Sequence, residues 1–163
     1  MSKHTIYHML GQIAVTFASI EHRLTELLEY LLVEDCSLVK PYVLDRLSLN
    51  QCVQKTRAVA KLRLWGKDKT RSELKAVLDA IDAVRKERNW FIHGDWFSEN
   101  LTDYSYSVTV LNYKPRLQPN GVWEYLEQNR VTKLKLKNLL AKTSSALDDL
   151  NTVHNKIRKL KLR

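Results

Sequence analysis

The sequence predicts a mainly α-helical domain of four to five helices, into which one β-hairpin is inserted. Apolar residues recur every three to four positions through most of the 163 residues. Between about residues 103 and 128 that period changes to two. A period near 3.6 is typical of a helix with one buried face, whereas alternation is typical of a strand. Because no repeat or low-complexity linker interrupts the chain, residues 1–163 are expected to form a single domain.

The first predicted helix, over residues 5–33, has the clearest apolar face. After a break, Pro41 can open a short second helical stretch, since proline is tolerated at the first helical position. The apolar face of the first helix consists of Ile6, Leu10, Ile13, Phe17, Ile20, Leu24, Leu27, Leu28 and Leu31.

Capping signals mark the next two helices. Ser48 with Gln51 resembles a capping box, and Gly66 is a typical residue to end that segment. Thr70 with Glu73 forms a second capping box, which predicts the start of a helix that continues to about residue 93.

The predicted hairpin follows this helix and precedes the last one. Residues 104–111 alternate in polarity, and residues 122–126 supply a partner strand across a turn that contains Pro119 and Gly121. Thr132 can cap a final helix. Its apolar positions are Leu136, Leu139, Leu140, Leu147, Leu150, Val153, Ile157 and Leu160.

The composition favours a cytoplasmic protein that binds polyanions. The formal net charge is +9, and no apolar run approaches the ~20 residues that span a bilayer. Cys36 and Cys52 lack the spacing of a zinc site, so we expect buried, reduced thiols. The late basic residues fit either a solvated helix face and tail or nucleic-acid contact. They are Lys133, Lys135, Lys137, Lys142, Lys156, Arg158, Lys159, Lys161 and Arg163.

Arg88 projects from an apolar face of the third long helix. A charged side chain is rarely buried without a partner, because removing it from water costs several kcal/mol. An acidic side chain, a second subunit or a bound phosphate is therefore expected to meet Arg88. The predicted face consists of Leu74, Val77, Ile81, Val84, Phe91 and Ile92.

Asn89 and His93 lie four residues apart on one flank of the same helix. At that spacing the Asn89 amide can hydrogen-bond the imidazole and help to fix its tautomer. His93 followed by Gly94 is also an ordinary helix C-terminus, because the helix dipole favours histidine there and glycine suits the left-handed cap. The spacing alone leaves both interpretations open.

The run Glu-Arg-Asn-Trp-Phe-Ile-His-Gly over residues 87–94 resembles the signature of the HEPN family. That signature is an arginine, usually a polar residue next, and a histidine four to six residues after the arginine. Here four residues separate Arg88 from His93, and Asn89 takes the polar place. The long amphipathic first helix is also similar to the family's first helix. The hairpin, near residues 104–127, corresponds to no family feature.

The resemblance implies an antiparallel helical bundle that dimerises, so that two such motifs face each other across a cleft. Active members of the family are metal-independent endoribonucleases, often toxins or parts of phage-defence and CRISPR systems. The expected partners are therefore RNA, a second copy of the chain, and a cognate antitoxin or defence-system protein, with no cofactor, metal or membrane. The alternative is a non-catalytic HEPN module for dimerisation, scaffolding or RNA binding.

The chemistry of RNA cleavage gives each motif residue a role. His93 can deprotonate a 2′-hydroxyl because an imidazole titrates near neutral pH. Arg88 can stabilise the extra negative charge on phosphorus. Asn89 can orient His93 or hold a phosphate oxygen. Glu21, between Phe17 and Leu24 in sequence, is either the buried partner of Arg88 or a boundary residue that faces water.

Further RNA contacts are expected close to the motif. Arg85 and Lys86 can meet the phosphate backbone, and Trp90 can stack on a base. Phe91, Trp96 and Phe97 fit either the same role or an ordinary core.

Overall fold

The computed structural model describes residues 3–32, 44, 47–92, 95–98, 108–117 and 123–160, with side chains for 5–32, 44, 47–92 and 131–160. The predicted helical bundle is confirmed. The four helices are α1 (Lys3–Leu32), α2 (Leu49–Arg63), α3 (Asp68–Ile92) and α4 (Lys133–Arg158). The predicted stretch at Pro41 lies outside the described residues. Among those residues, no helix combines the length and hydropathy needed to cross a bilayer.

Two of the predicted helix caps are confirmed. Before α2, the Gln51 backbone N–H donates to Ser48 Oγ, and the Ser48 backbone N–H donates to Gln51 Oε1 at 2.8 Å. Before α4, the Lys135 backbone N–H donates to Thr132 Oγ1 at 3.2 Å. Each cap satisfies backbone donors that have no partner inside the first turn of a helix.

The predicted cap at Thr70 is wrong, because α3 begins two residues earlier. The Arg71 backbone N–H donates to the Lys67 carbonyl at 3.0 Å, which closes the first helical turn ahead of Thr70. Asp68 lies in that turn and pairs with Arg71 at 2.6 Å. A carboxylate near a helix N-terminus is stabilised by the helix dipole. Thr70 is buried inside the helix.

Within the described residues, three strands follow α3: β1 (Asp95–Ser98), β2 (Val108–Leu117) and β3 (Trp123–Val131). They pair antiparallel in the order β1-β2-β3. The sequence predicted no strand at β1, and residues 104–107 of the predicted first strand lie outside the described residues. The β2–β3 register shifts between Tyr113 and Arg116, where Pro115 has no N–H for the ladder.

Contacts divide the chain into two compact units, Met1–Ile13 with Val84–Ala141, and Ala14–Ala83 with Lys142–Arg163. Buried side chains of the first unit are Ile6, Met9, Ile13, Val84, Phe91, Val131, Leu136 and Leu139. Buried side chains of the second unit include Phe17, Ile20, Leu24, Leu27, Leu28, Leu31, Val53, Leu64, Leu74, Leu78, Ile81, Leu150, Val153 and Ile157.

Candidate functional site

The structure places Arg88 on the buried face of α3. Val84 lies one turn before it and Phe91 three residues after it, and both side chains are buried. Arg88 itself is half-buried. Residues three and four apart share a helix face, so the guanidinium leaves the helix between two apolar neighbours. The predicted position of this cation is therefore the observed one.

Other residues of the predicted apolar face differ in burial. Leu74 and Ile81 are buried, as predicted, and Leu78 joins them. Val77 is half-buried, and Ile92 is 36% exposed. Ile92 follows Phe91 directly and is rotated by about 100° from it, which takes it off the stripe.

Asn89 contacts Arg88. One guanidinium nitrogen of Arg88, Nη1, donates to Asn89 Oδ1 at 3.1 Å. Sequence analysis had assigned Asn89 to the imidazole of His93 or to a phosphate. The observed bond orients one nitrogen of the Arg88 fork, which carries five N–H donors. The predicted contact with His93 lies outside the described residues.

The aromatic residues of this segment pack against each other. The rings of Trp90 and Phe91 meet edge to face, with centroids 5.6 Å apart and planes 83° apart. Such a pair contributes about 0.5–1.5 kcal/mol beyond its buried area. Phe91 is buried and Trp90 half-buried, so Phe91 belongs to the core.

The structure describes the side chains of only some of the remaining predicted site residues in this segment. Arg85 is half-buried and Lys86 is exposed, which places both cations near the end of α3. His93 and Gly94 lie outside the described residues. Trp96 and Phe97 belong to β1, whose backbone alone is described.

Of the two predicted alternatives for Glu21, the exposed boundary position is the observed one. The Glu21 side chain is exposed, whereas Ile20 and Leu24 are fully buried. One residue advances a helix by about 100°, so the neighbour of a buried position can face solvent. The desolvation cost that made Glu21 a candidate partner for Arg88 is therefore absent, and the boundary interpretation of Glu21 is the observed one.

His154 is a buried histidine that sequence reasoning missed. It lies on α4 between Leu150 and Ile157, both fully buried, and is itself only 3% exposed. Its Nδ1 is buried and makes no hydrogen bond within the described part of the chain. The apolar spacing at positions 150, 153 and 157 was the signal that pointed to its burial.

Charged groups from two helices surround His154. Burial lowers the pKa of His154 below its ordinary value, and the positive charge of Arg23 lowers it further. Glu26 opposes this shift, and Arg158 adds to it. Arg23 and Glu26 form an ion pair at 2.7 Å. His154 is therefore a neutral core residue at physiological pH.

Cys52 is buried and free, which confirms the prediction for this thiol. Burial raises its pKa, while the contact with Thr25 Oγ1 at 4.0 Å lowers it to a smaller degree. A protonated thiol is a poor nucleophile, so Cys52 is a structural residue. Cys36 lies outside the described residues.

We expect His154 to make the fold sensitive to mild acid. Because its pKa in the folded state is lowered, the unfolded state binds more protons below about pH 6.5. The free energy of unfolding is therefore unaffected by the protonation of His154 well above that pH. It decreases as the pH drops towards the folded-state pKa, by at most about 1.4 kcal/mol per pH unit. Urea titrations at closely spaced pH values between neutrality and pH 5 measure this slope.

The variants His154→Leu and His154→Gln test the assignment. Both remove the titrating group, and Gln keeps a polar side chain, so packing and protonation are separated. Each variant should flatten the slope between pH 6.5 and pH 5, within the range where ordinary histidines titrate. An unchanged slope in both variants would assign the acid sensitivity to other groups.

The chain matches no protein-family model, no curated protein and no solved structure. The resemblance to the HEPN signature therefore rests on residues 87–94 and on the long amphipathic helix α1. The end of α3 brings together a half-buried arginine, its asparagine neighbour and the adjoining cations Arg85 and Lys86.

Proposed function

We propose that this protein is a metal-independent endoribonuclease of the HEPN type that acts as a homodimer. The observation that carries the proposal is the half-buried Arg88, held by Asn89 on an otherwise apolar helix face. A bound anion stabilises a guanidinium in that setting, because phosphate oxygens accept hydrogen bonds that burial prevents water from accepting. Toxins and phage-defence effectors are the roles that this family resemblance favours, with a cognate antitoxin or defence protein as partner.

The proposed reaction is an attack by a ribose 2′-oxygen on the adjacent phosphorus. His93 takes the proton of the 2′-hydroxyl, the new P–O bond forms as the bond to the 5′-oxygen breaks, and the departing 5′-oxygen takes a proton from water. The products are a 2′,3′-cyclic phosphate and a 5′-hydroxyl. Arg88 stabilises the charge that develops on the phosphate oxygens, and Asn89 keeps the Arg88 fork in position. Arg85, Lys86 and Trp90 contribute RNA contacts.

The alternative is a non-catalytic module for dimerisation, scaffolding or RNA binding. The core position of Phe91 and its contact with Trp90 favour it, because they show that part of this segment serves packing. The two functions make different predictions for variants that lack the side-chain groups of Arg88 or His93 but remain as stable as the wild type. The nuclease would lose RNA cleavage in these variants, whereas the non-catalytic module has no such cleavage to lose.

We expect Arg88→Met and His93→Ala each to reduce RNA cleavage by a factor of about 100 or more. Methionine keeps an unbranched apolar stem on the buried face of α3, so the loss reports the guanidinium rather than the packing. Gel assays of RNA cleavage give the rates, and circular dichroism gives the melting temperatures. Lys75→Ala is the matched control, because it removes an exposed cation from the same helix.

Asn89 variants extend this test. Asn89→Leu removes the acceptor for Arg88 Nη1 at similar volume and should lower kcat more than it raises KM. Asn89→Asp restores an acceptor and should recover part of kcat. Unfolding of His93→Ala, or cleavage at the wild-type rate by both Arg88→Met and His93→Ala, would establish the scaffold function instead.

Cleavage should survive EDTA and leave cyclic phosphate ends. Within the described residues, no group of three or more His, Cys, Asp or Glu side chains is arranged to hold a metal ion. Mass spectrometry of the products identifies the ends, and a fully 2′-O-methylated RNA is the control that this route cannot cleave. Cleavage that stops with EDTA and returns with magnesium would contradict the proposed mechanism.

We expect a homodimer in solution. The family resemblance implies that two copies of the motif face each other across a cleft. Light scattering after size-exclusion chromatography measures the mass, with the Lys75→Ala protein as a control for surface charge. A monomer at tens of micromolar would rule out a composite site.

A further inference from the structure

We propose that the turn between α2 and α3 binds single-stranded nucleic acid, with Trp65 as the stacking platform. We call residues 61–69 the Trp65 turn. The Trp65 side chain is 82% exposed, and Leu62 beside it is 78% exposed. The Trp65 backbone N–H donates to the Leu62 carbonyl, which brings the two residues onto one turn of the chain. Together they form a small apolar surface on the second compact unit.

The turn has a defined backbone on either side of Trp65. Leu64 is fully buried and anchors the turn, and the Lys67 backbone N–H donates to the Leu64 carbonyl at 3.0 Å. Gly66 adopts φ +72°, a left-handed conformation that costs other residues free energy, although space for a side chain is open there. Trp65 therefore faces solvent from a turn that a buried leucine and a glycine specify. A preorganised aromatic surface loses little entropy on binding.

Cations flank the exposed indole. The Trp65 turn contains four basic residues and one acidic residue. Lys61, Lys67 and Lys69 are exposed and form no ion pair within the described residues. The acidic residue, Asp68, is already paired with Arg71. The turn thus joins a flat aromatic surface to three exposed lysines that form no ion pair with any carboxylate in the described part of the chain.

Charge and shape favour nucleic acid over the other classes of partner. A second copy of the chain would bring the same lysines together, and like charges oppose such a contact. A membrane-surface helix needs a continuous apolar face. The exposed positions of α2 that precede Leu62 are instead polar or small: Asn50, Gln51, Gln54, Lys55, Ala58 and Lys61. Unpaired bases stack on exposed aromatic rings while lysines contact the phosphates, which is the combination of groups in the Trp65 turn.

This site goes beyond the nuclease function proposed above and does not depend on it. Trp65 belongs to the turn between α2 and α3, whereas the proposed reaction uses residues at the far end of α3 in sequence. Binding at the Trp65 turn requires base faces and phosphates but no 2′-hydroxyl. RNA and DNA single strands are therefore both expected to bind, and binding can be measured with DNA that the proposed reaction cannot cleave.

Fluorescence anisotropy with labelled oligothymidylate and oligouridylate, each about 12 nucleotides long, tests the proposal. Trp65→Ala should weaken binding of both about tenfold or more, and Trp65→Phe should weaken it less. Lys67→Ala with Lys69→Ala should flatten the dependence of log Kd on log salt by about one unit or more. Circular dichroism should show wild-type folding for all these variants, since each changed side chain is exposed.

Matched controls come from α4. Leu134→Ala removes another exposed apolar side chain, and Lys133→Ala with Lys137→Ala removes two exposed lysines. Neither should change binding more than twofold. Equal losses from the α4 variants would show that binding follows net charge and would overturn the proposal. So would wild-type binding by Trp65→Ala.

Two further measurements distinguish other occupants and the proposed nuclease. If Trp65→Ala abolishes binding to phosphatidylserine vesicles or changes the oligomeric mass, and leaves oligonucleotide binding intact, the turn contacts lipid or protein and the proposal is wrong. The titrations are repeated with His93→Ala. That variant should bind oligonucleotides through Trp65 like the wild type, whether or not it has lost cleavage, so failure of one proposal is distinguishable from failure of the other.

Discussion

The apolar face of α1 is the constraint on which the described helices depend. Its buried residues recur from Ile6 to Leu31, and the last four of them have no exposed surface at all. Burying such a side chain contributes about 1.5–3 kcal/mol, so this face contributes more than any single polar contact described here. Every polar residue on a packed face must then be accommodated at a cost. The partial burial of Arg88 and the lowered pKa of His154 both follow from that cost.

The two residues meet the same constraint in different ways. His154 is buried and keeps no charge, because desolvation and the nearby positive charges lower its pKa. Arginine cannot lose its proton in this pH range, so Arg88 keeps its charge and remains half-buried beside the Asn89 amide. A permanent charge that is only partly shielded from water can still be reached by an anion. This difference is why Arg88, and not His154, is the basis of the proposed site.

Sequence patterns predicted the features that depend on local backbone geometry, such as helix caps. The caps at Ser48 and Thr132 follow from side chains that reach backbone N–H groups three residues away, and both are present. The start of α3 was missed because Asp68 and Arg71 form an alternative first turn. Sequence left Glu21 with two alternatives because apolar neighbours in sequence do not fix the angle of one residue around a helix. Neither β1 nor the exposed Trp65 has a periodic signal, since their environments are set by tertiary contacts and a single turn.

The two proposed nucleic-acid contacts differ in where they lie relative to the helix ends, and this has a physical consequence. Arg88 lies near the C-terminal end of α3, as Lys61 and Arg63 do in α2, whereas Lys67 and Lys69 flank Asp68, the first residue of α3. The helix dipole gives C-terminal ends partial negative charge, which stabilises cations and disfavours phosphate. Sites at helix N-termini, by contrast, bind phosphate through backbone N–H groups. At Arg88 attraction for phosphate must come from side chains, whereas at the Trp65 turn the lysines act beside the N-terminus of α3. Affinity at both sites should still depend strongly on salt and on individual lysines and arginines. Specific contacts must then come from the fixed groups, the Arg88 fork and the Trp65 ring.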